Sequence, residues 1–547
     1  MAKTTTIPFR YTVFLISVVG LLTTLPLSFY LGGWYLLPAL FAGLTILGTW
    51  DLVQRKRTIS RNYPILAHFR YFLESIGPEI RQYFIQSDTE ERPFSREQRT
   101  IVYQRAKNVL DKRPFGSQLG MYEPGFEWIN HSLQPKEIEN SNFRIEIGRH
   151  RAKPYSANIF NISAMSFGSL SANAILSLNT GAKLGDFYHD TGEGSISRYH
   201  RQPGGDLVWE IGSGYFGCRN PDGSFNEAMF QENATLDQVK MIEIKLSQGA
   251  KPGHGGILPG EKVTPEIAEA RGVEVGKDVV SPASHSAFST PVELLEFIER
   301  LRTLSGGKPV GFKLAIGHPW EWFAIARAIL ETGKKPDFIV VDGGEGGTGA
   351  APLEFINRLG MPMTEALLLV HNTLVGIGVR EDIAIGAAGK ITSAFHIART
   401  LALGADWCNA ARGYMFALGC IQALNCHTGR CPSGVATQDP RRGKKLDVRD
   451  KSQRVYNYHK NTTDALRNLL AASGLSHPCQ LGPEHILRRT AQSEIHTYMD
   501  LFRFLEPDAL LKGETGDRIF DIYWPQSRSD SFDPPHFITD LRETKLC

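Results

Sequence analysis

Apolar and polar positions alternate in three distinct ways along this chain, and each predicts a different kind of structure. Residues 11–50 contain no Asp, Glu, Lys or Arg. That stretch is twice the ~20 residues that one bilayer-spanning helix needs. Gly32-Gly33 divides it into two spans, about 11–31 and 34–50, with Pro26 and Pro38 as tolerated kinks. Lys3 and Arg10 precede the spans, and Arg55, Lys56, Arg57 and Arg61 follow them. The positive-inside rule then sets both ends in the cytoplasm and the Gly-Gly turn outside, as a multi-pass hairpin in the inner (cytoplasmic) membrane. A cleaved signal peptide is the rival, but its apolar core usually runs only ~7–15 residues with no second span behind it. Over residues 62–112 the period changes: Ile65, Leu66, Phe69, Phe72, Leu73, Ile76 and Ile80 recur every three or four positions, as in an amphipathic helix. Its apolar face can pack on the protein body or lie on the bilayer, and packing is the expectation.

From about residue 155 short apolar runs alternate with longer helical patterns. The runs are Asn158–Ala164, Asp186–His189, Leu207–Ile211, Met241–Leu246, Val310–Leu314, Phe338–Val341, Ile383–Ile385 and Ala405–Ala410, with helical stretches such as Val292–Leu304, Trp320–Glu331 and Ser393–Leu403 between them. Near-continuous apolar strands joined by helices are parallel strands buried on both faces. Eight such units over this length predict an α/β fold, a (β/α)8 TIM barrel. A doubly wound open sheet is the alternative, but the first strand–helix junction lacks the Gly-x-Gly-x-x-Gly of a dinucleotide fold. The expected organisation is an N-terminal tail and transmembrane hairpin (1–52), a helical linker region (53–150), the barrel (151–445) and a C-terminal helical extension (446–547).

Composition narrows the function. The 60 Lys and Arg against 57 Asp and Glu leave a net charge of +3, so no basic footprint for nucleic acid is present. Seven cysteines among 547 residues are too few for a disulfide scaffold. Glycine is abundant, at 53 residues, and forms clusters after the predicted strands: Ser163–Gly168, Asp190–Gly194, Gln248–Gly260, Asp342–Gly349 and Gly386–Lys390. In a barrel these loops all emerge at the C-terminal face, where active sites sit.

Several of these loops carry chemistry. Cys420, Cys426 and Cys431 lie within twelve residues; three thiolates on one loop suit an iron–sulfur cluster. Zinc with His427 as fourth ligand, and unliganded thiols, are the alternatives. The glycine-rich Asp342–Gly349 loop lets backbone N–H groups approach a flat ring or a phosphate. Gly389-Lys390 after the seventh strand and Arg412-Gly413 after the eighth take the usual barrel phosphate positions. Lys251 and Arg271 are candidates for pairing a substrate carboxylate. Lys313 sits inside an apolar strand, where an unpaired ammonium is costly, so it calls for a buried partner or a cofactor.

The order of Ser163-Ala-Met-Ser-Phe-Gly-Ser169, Thr191-Gly-Glu-Gly194, Gln248-Gly-Ala-Lys-Pro-Gly253, Leu258-Pro-Gly260, Gly346-Gly-Thr-Gly-Ala350 and Cys426-His-Thr-Gly-Arg-Cys-Pro-Ser-Gly-Val-Ala-Thr-Gln438 resembles the FMN-binding synthase domain of glutamate synthase. The likeness spans about residues 150–445, and the hairpin suggests the shorter branch of FMN-binding glutamate synthase family proteins. It implies FMN, a [3Fe–4S] cluster on Cys420, Cys426 and Cys431, and reductive amination of 2-oxoglutarate by ammonia. In that resemblance Glu193, Gln248, Lys251 and Arg271 line the oxoacid and flavin pocket. Ala164, Met165, Ser166, Gln248, Lys313, Gly346 and Gly347 meet the flavin, with Lys313 beside its ring. The phosphate turns are Gly389, Lys390, Arg412 and Gly413.

Two departures stand out. The family loop usually reads Lys-Pro-Gly-Glu-Gly-Gly-Gln, whereas here the Glu is His254 and the Gln is Ile257. Loss of that Gln leaves a hydrogen-bonding substrate group unpaired, at about 1–3 kcal/mol, which admits a larger or more apolar 2-oxoacid. The family's glutamine-cleaving domain, with its N-terminal cysteine, and its C-terminal β-helix are not expected in this chain, whose first cysteine is Cys218. Ammonia or an amine is therefore expected from solution or a partner. Electrons are expected from a ferredoxin-like protein, an NAD(P)H-oxidising subunit or a quinone. The competing readings are an FMN/iron–sulfur dehydrogenase exchanging electrons with a membrane or protein carrier, and a cofactor-free membrane scaffold.

Overall fold

The computed structural model describes residues 9–54, 57–85, 92–109, 111–536 and 538. Lys3, Arg55 and Lys56, among the charges flanking the expected spans, lie outside the described residues. The chain forms two compact units, Met1–Arg96 and Glu97–Cys547.

In the first unit, helices Thr12–Leu31 and Leu36–Val53 are joined by Gly32 and Gly33 at φ +60° and +126°, a turn open to glycine because it has no Cβ. Small residues seat the pair. A Cβ at Gly20 would lie 2.6 Å from the Phe41 ring, and one at Gly48 2.3 Å from that of Phe14. Ser17 donates to the Phe14 carbonyl at 2.7 Å, and Thr45 donates to the Ser17 hydroxyl at 3.3 Å, so these polar groups are satisfied within the hairpin. Both helices are long and apolar enough to cross a membrane, and their position suits a membrane hairpin. The second helix starts two residues later than expected, because Trp34 and Tyr35 belong to the turn, and it continues through Asp51. The Asp51 carboxylate is satisfied by the Ile65 N–H at 2.9 Å and by His68 Nε2 at 2.9 Å, so its charge does not end the helix.

The expected long amphipathic helix is divided into Thr58–Asn62, Leu66–Ile80 and Arg96–Ala106; positions 86–91 and 110 lie outside the described residues. Leu66, Phe69, Phe72 and Leu73 are exposed. Beyond Ala106 the segment expected to be helical gives short strands instead. Glu127–Ile129 pairs antiparallel with Ile486–Ala491, which pairs with Glu494–Thr497. Runs this short, with polar residues on both faces, leave no periodicity to read.

The second unit is built on a closed, all-parallel barrel. Its strands are β1 (Phe160–Ile162), β2 (His189–Asp190), β3 (Leu207–Ile211), β4 (Val239–Lys245), β5 (Val310–Leu314), β6 (Phe338–Asp342), β7 (Ala384–Ala388) and β8 (Trp407–Ala410). Each pairs with the next, and β8 closes on β1 with Ala410 opposite Ile162. All eight expected strands are present. The second begins three residues late because Asp186, at φ +52°, caps helix Ala172–Gly185, leaving only His189 and Asp190 to pair. The long C-terminal helix Val448–Ala472 packs on Ala172–Gly185 and is part of the barrel's outer layer. The approach is close at Gly181, where a Cβ would lie 2.5 Å from Val455 and 2.9 Å from the Ser452 carbonyl.

Gly181→Leu should therefore lower stability by about 1–3 kcal/mol through overpacking, read as a lower thermal midpoint, whereas Gly181→Ala should cost less.

Candidate active site

Backbone-to-backbone contacts bring the loops after β1, β2, β4 and β6 together at the C-terminal end of the barrel. Gly192, at φ +65°, donates its N–H to Asp190 Oδ1 at 2.9 Å. A Cβ there would lie 2.7 Å from the Ser166 nitrogen, so the first two loops touch and Glu193 is turned into the mouth. Gly249 donates to Asp342 Oδ2 at 2.9 Å, and a Cβ on it would overlap the Gly343 carbonyl oxygen at 1.7 Å. No side chain fits there, so the fourth and sixth loops meet only through glycine.

These loops enclose a cavity of about 430 Å³, within the ~300–1,000 Å³ usual for small-molecule sites. Of the residues singled out from the sequence, Ala164, Met165, Ser166, Glu193, Gln248, Lys251, Arg271, Gly347, Arg412 and Cys426 are in its wall. Gly349 also lines it, and a Cβ there would meet nothing within 4 Å, leaving bare backbone toward the space. Arg412 joins two walls. It donates to the Thr348 carbonyl of the glycine loop and to Met415 Sδ at 3.3 Å, and lies 4.0 Å from Cys426 Sγ.

One end of the cavity is cationic. Lys245 Nζ donates to Glu193 Oε2 at 2.9 Å, and a Cβ at Gly256 would lie 3.2 Å from Glu193 Oε1 and 3.8 Å from Lys251 Nζ. Burial raises the Glu193 carboxyl, yet the Lys245 charge and hydrogen bond, with Arg271 and Lys251 behind them, bring its pKa down to about 2. Burial lowers the Lys251 ammonium, opposed by Glu193 and helped by Lys245. Arg271 is 5% exposed. It makes one long bond to the Phe167 carbonyl at 3.4 Å, lies over the Phe216 ring at 5.0 Å, and keeps Nε without a partner among the described residues. A buried guanidinium donor left open beside a cavity fits a carboxylate ligand.

Lys313 is in the barrel interior below this wall. It bonds Glu210 of β3, which itself lines the cavity, and lies 3.2 Å from Glu243 of β4. Asp190, Glu210 and Glu243 bring carboxylate oxygens within 4.8 Å of one another. Burial and the neighbouring carboxylates push Asp190 up to about 7 and Glu243 well above the usual range. Burial alone would discharge Lys313, but Glu210, Glu243 and Asp190 hold it protonated.

The other expected site residues lie outside the wall. Gly346 is under the glycine loop, where a Cβ would come within 3.0 Å of the Gly343 carbonyl. Gly389 is packed on Met363 and Glu345, and Gly413 faces Tyr458 Oη, 2.7 Å from where its Cβ would be. Lys390 adopts φ +51°. Cys420 and Cys431 are buried. Burial raises Cys431, but the Ser433 hydroxyl and the N–H groups of Ala436, Ser433 and Val435 bring its pKa below that of an ordinary thiol, as a thiolate ligand requires. Cys420 is raised by burial, with Cys426 and Cys431 adding to it. Among the described residues the three sulfurs are not gathered within 4.8 Å of one another, as ligands of a single zinc ion would be; three cysteine thiols are the donor chemistry that an iron–sulfur cluster uses.

Lys245, Lys262 and Ser281 also line the cavity and were not singled out from the sequence. A lysine at the C-terminal end of an apolar strand was a legible signal for Lys245; the other two sit in loops without one. His254 is exposed and stands edge-on to Phe355 at 5.3 Å, away from the wall. The backbone of Ile257 pairs with Val280, while its side chain lies outside those described.

The conserved region of glutamate synthase matches residues 127–476. A glutamate synthase large subunit-like protein of Bacillus subtilis (strain 168), YerD, is 40% identical over 489 residues, 81% of this chain and 92% of that protein. An archaeal glutamate synthase (NADPH) of Methanocaldococcus jannaschii is 34% identical over 352 residues, 64% of this chain and 65% of its own length. An archaeal-type glutamate synthase (NADPH) of Thermotoga maritima is 35% identical over 315 residues, 57% of this chain and 59% of its own. The chain thus spans slightly less than two thirds of these last two.

A native Asp190 pKa near 7, above the ordinary 3.8, means that the folded state binds more protons than the unfolded state between those values. Its contribution to stability is full below about pH 4 and is lost as pH rises through 7. Asp190→Asn should flatten this decline, so that the difference in thermal midpoint between the two proteins changes steadily from about pH 4 to 7 and levels off above that. A constant difference would contradict it.

Proposed function

The chain belongs to the glutamate synthase family, oxidoreductases acting on CH–NH2 groups, and on that premise we propose that it reductively aminates 2-oxoglutarate or a related 2-oxoacid. FMN and a [3Fe–4S] cluster serve as cofactors, ammonia comes from solution or a partner, and the hairpin tethers the enzyme to the cytoplasmic membrane. The observation that carries this reading is the Arg271 guanidinium, its Nε without a partner among the described residues, lining the same cavity as the Lys245–Glu193 pair and the glycine backbone of Gly347 and Gly349.

The residues divide the work by chemistry. Ala164–Ser166, Gln248, Gly347 and Arg412 would hold FMN, with Lys313 and Glu210 below it, and Cys420, Cys426 and Cys431 would hold the cluster. FMN supplies a hydride when bound, and the cluster admits single electrons from a ferredoxin-like, NAD(P)H-oxidising or quinone donor. Arg271 binds a substrate carboxylate through paired N–H donors. Glu193, charged at neutral pH, accepts hydrogen bonds from ammonium or ammonia and orients it toward the keto carbon. Lys251, its ammonium acidified by burial, gives a proton to the departing keto oxygen. The overall change is 2-oxoacid + NH4+ + 2e− + 2H+ → amino acid + H2O: a C–N bond forms, the C=O bond breaks, and the oxygen leaves as water.

The decisive experiment is an anaerobic visible spectrum of detergent-purified protein, followed by mixing the reduced form with 2-oxoglutarate and ammonium. Flavin bands that bleach on reduction and recover only with both substrates support the proposal; bands that recover with no 2-oxoacid and amine overturn it. Arg271→Lys should raise KM for the 2-oxoacid by about 10- to 100-fold, the loss of roughly 1.5–3 kcal/mol of charged hydrogen bonding, with kcat far less affected. Cys431→Ser should lose iron by elemental analysis while retaining flavin.

A further inference from the structure

Three carboxylates share the barrel interior with one ammonium. Asp190, Glu210 and Glu243 stand within 4.8 Å of each other around Lys313, and Asp342 adds a fourth negative group that acts on the same lysine. The three carboxylates and the lysine are nearly sealed from solvent: Glu210 and Asp190 are 2% exposed, Glu243 1% and Lys313 4%. Fully ionised, the group would carry an excess of like charge in a medium that screens poorly, so it retains protons instead. The surrounding groups do not supply the missing positive charge. Lys245, at the end of β4, is engaged by Glu193, and Tyr188, which faces Asp190 and Glu243, donates its hydroxyl to Asn409 at 2.6 Å. His189 and His200, buried beside β2, are held neutral by burial.

The cluster is wired to the cavity at three points. Glu210 is in the cavity wall. Asp190 holds the N–H of Gly192, next to Glu193, and Asp342 holds the N–H of Gly249, next to Gln248. A proton held on Asp190 or Glu243 is therefore one carboxylate away from the space where substrate binds, with no bulk water between.

We propose that Asp190 and Glu243 store a proton that Glu210 delivers to the cavity during the reductive half of the reaction. This rests on the proposed reductive chemistry, which takes up two protons per amino acid formed. In the step, the O–H bond of the stored carboxyl breaks as one forms on Glu210. The Glu210 O–H then breaks as the proton passes to the group being reduced in the cavity. The store is left negative beside Lys313 and is refilled from water after product leaves, so one of the two protons consumed is accounted for here. Asp190, Glu243 and Lys313 are positioning residues; Glu210 is the group that reaches the cavity.

The test is a reduced-minus-oxidised infrared difference spectrum of the anaerobic holoenzyme, reduced electrochemically without 2-oxoacid. The wild type should lose a protonated-carboxyl C=O stretch that shifts to lower frequency in D2O. Glu243→Gln and Asp190→Asn should lack or shift this band. Glu210→Gln should keep the protonated carboxyl but leave it unchanged on reduction, because the path is cut and the store intact. In turnover, Glu210→Gln should lower kcat about 10- to 100-fold, in the range of one general-acid contribution, with KM little changed. A flavin that reduces with no change in the carboxyl region of the wild type overturns the proposal while leaving the proposed reaction standing. A preparation with no reducible flavin removes the premise of both. Glu210→Gln behaving as wild type in the infrared also overturns it, and, being isosteric, this variant keeps the test open if the others fail to fold.

Discussion

A single ammonium inside the barrel sets the conditions for everything above it. Lys313 emerges from β5, a strand whose five residues are all buried, and no hydrophobic packing can accommodate its charge. Glu210 from β3 and Glu243 from β4, the two strands next in line beside β5, meet it in the barrel interior. Removing one partner of a buried pair typically costs about 3–5 kcal/mol, because the other charge stays buried alone. The arrangement therefore ties three adjacent strands to each other through their interior side chains as well as through their backbones. It also decides what the floor of the cavity can be. An all-apolar barrel interior would avoid the cost of burying charge, whereas this one places buried carboxylates directly beneath the site.

The walls follow from a second constraint, the absence of side chains at defined points. Gly192 against Ser166 and Gly249 against Gly343 bring four loops to backbone contact. With the loops drawn in this far, Glu193 from the loop after β2 converges with Gln248 and Lys251 from the loop after β4. Asp190 and Asp342 accept the N–H groups of these same two glycine turns, so the charge cluster below and the loop geometry above are one structure. The cationic end, with Lys245, Lys251 and Arg271 against the single carboxylate of Glu193, is the electrostatic consequence, and it suits an anionic ligand.

Much of this was readable in the chain because burial on both faces writes a strong signal. The eight barrel strands are near-continuous apolar runs, and the glycine-rich loops follow them directly, so the barrel and the side of the barrel that carries the site were both legible. The requirement that Lys313 have buried partners was legible from its apolar surroundings; which partners was not. Glu210 and Glu243 read in sequence as polar interruptions of strands, and only barrel closure and shear bring them to one point. Lys262 and Ser281 reach the wall through loops that carry no periodicity. Gly389 and Gly413, expected at phosphate turns, are also positions where an added Cβ would meet protein atoms within 3 Å. Glycine demanded by tight packing and glycine demanded by a ligand look the same in a sequence. The short strand Glu127–Ile129 escaped because its pairing with Ile486–Ala491 is long-range, and Glu494–Thr497, though in a local hairpin, because none of its residues is buried.

The two departures from the family loop separate once the structure is considered. His254 points away from the cavity and rests on Phe355, so exchanging a carboxylate for an imidazole there changes the outer surface of the loop and not the charge the substrate meets. The exchange at Ile257 occurs where the chain turns from the cavity-lining Gly256 to Leu258, and both of those neighbours are in the wall. The polar side chains that remain at this end of the cavity are Ser281, whose hydroxyl lies 3.6 Å from where a Gly256 Cβ would be, and Lys262, tied to the His427 carbonyl at 2.7 Å. A lysine anchored to the cysteine loop and lining the same cavity links the cavity wall to the segment that carries Cys426. Arg412 makes a similar connection from the glycine loop. Two cations, Lys262 and Arg412, thus join the cavity wall to the cysteine loop.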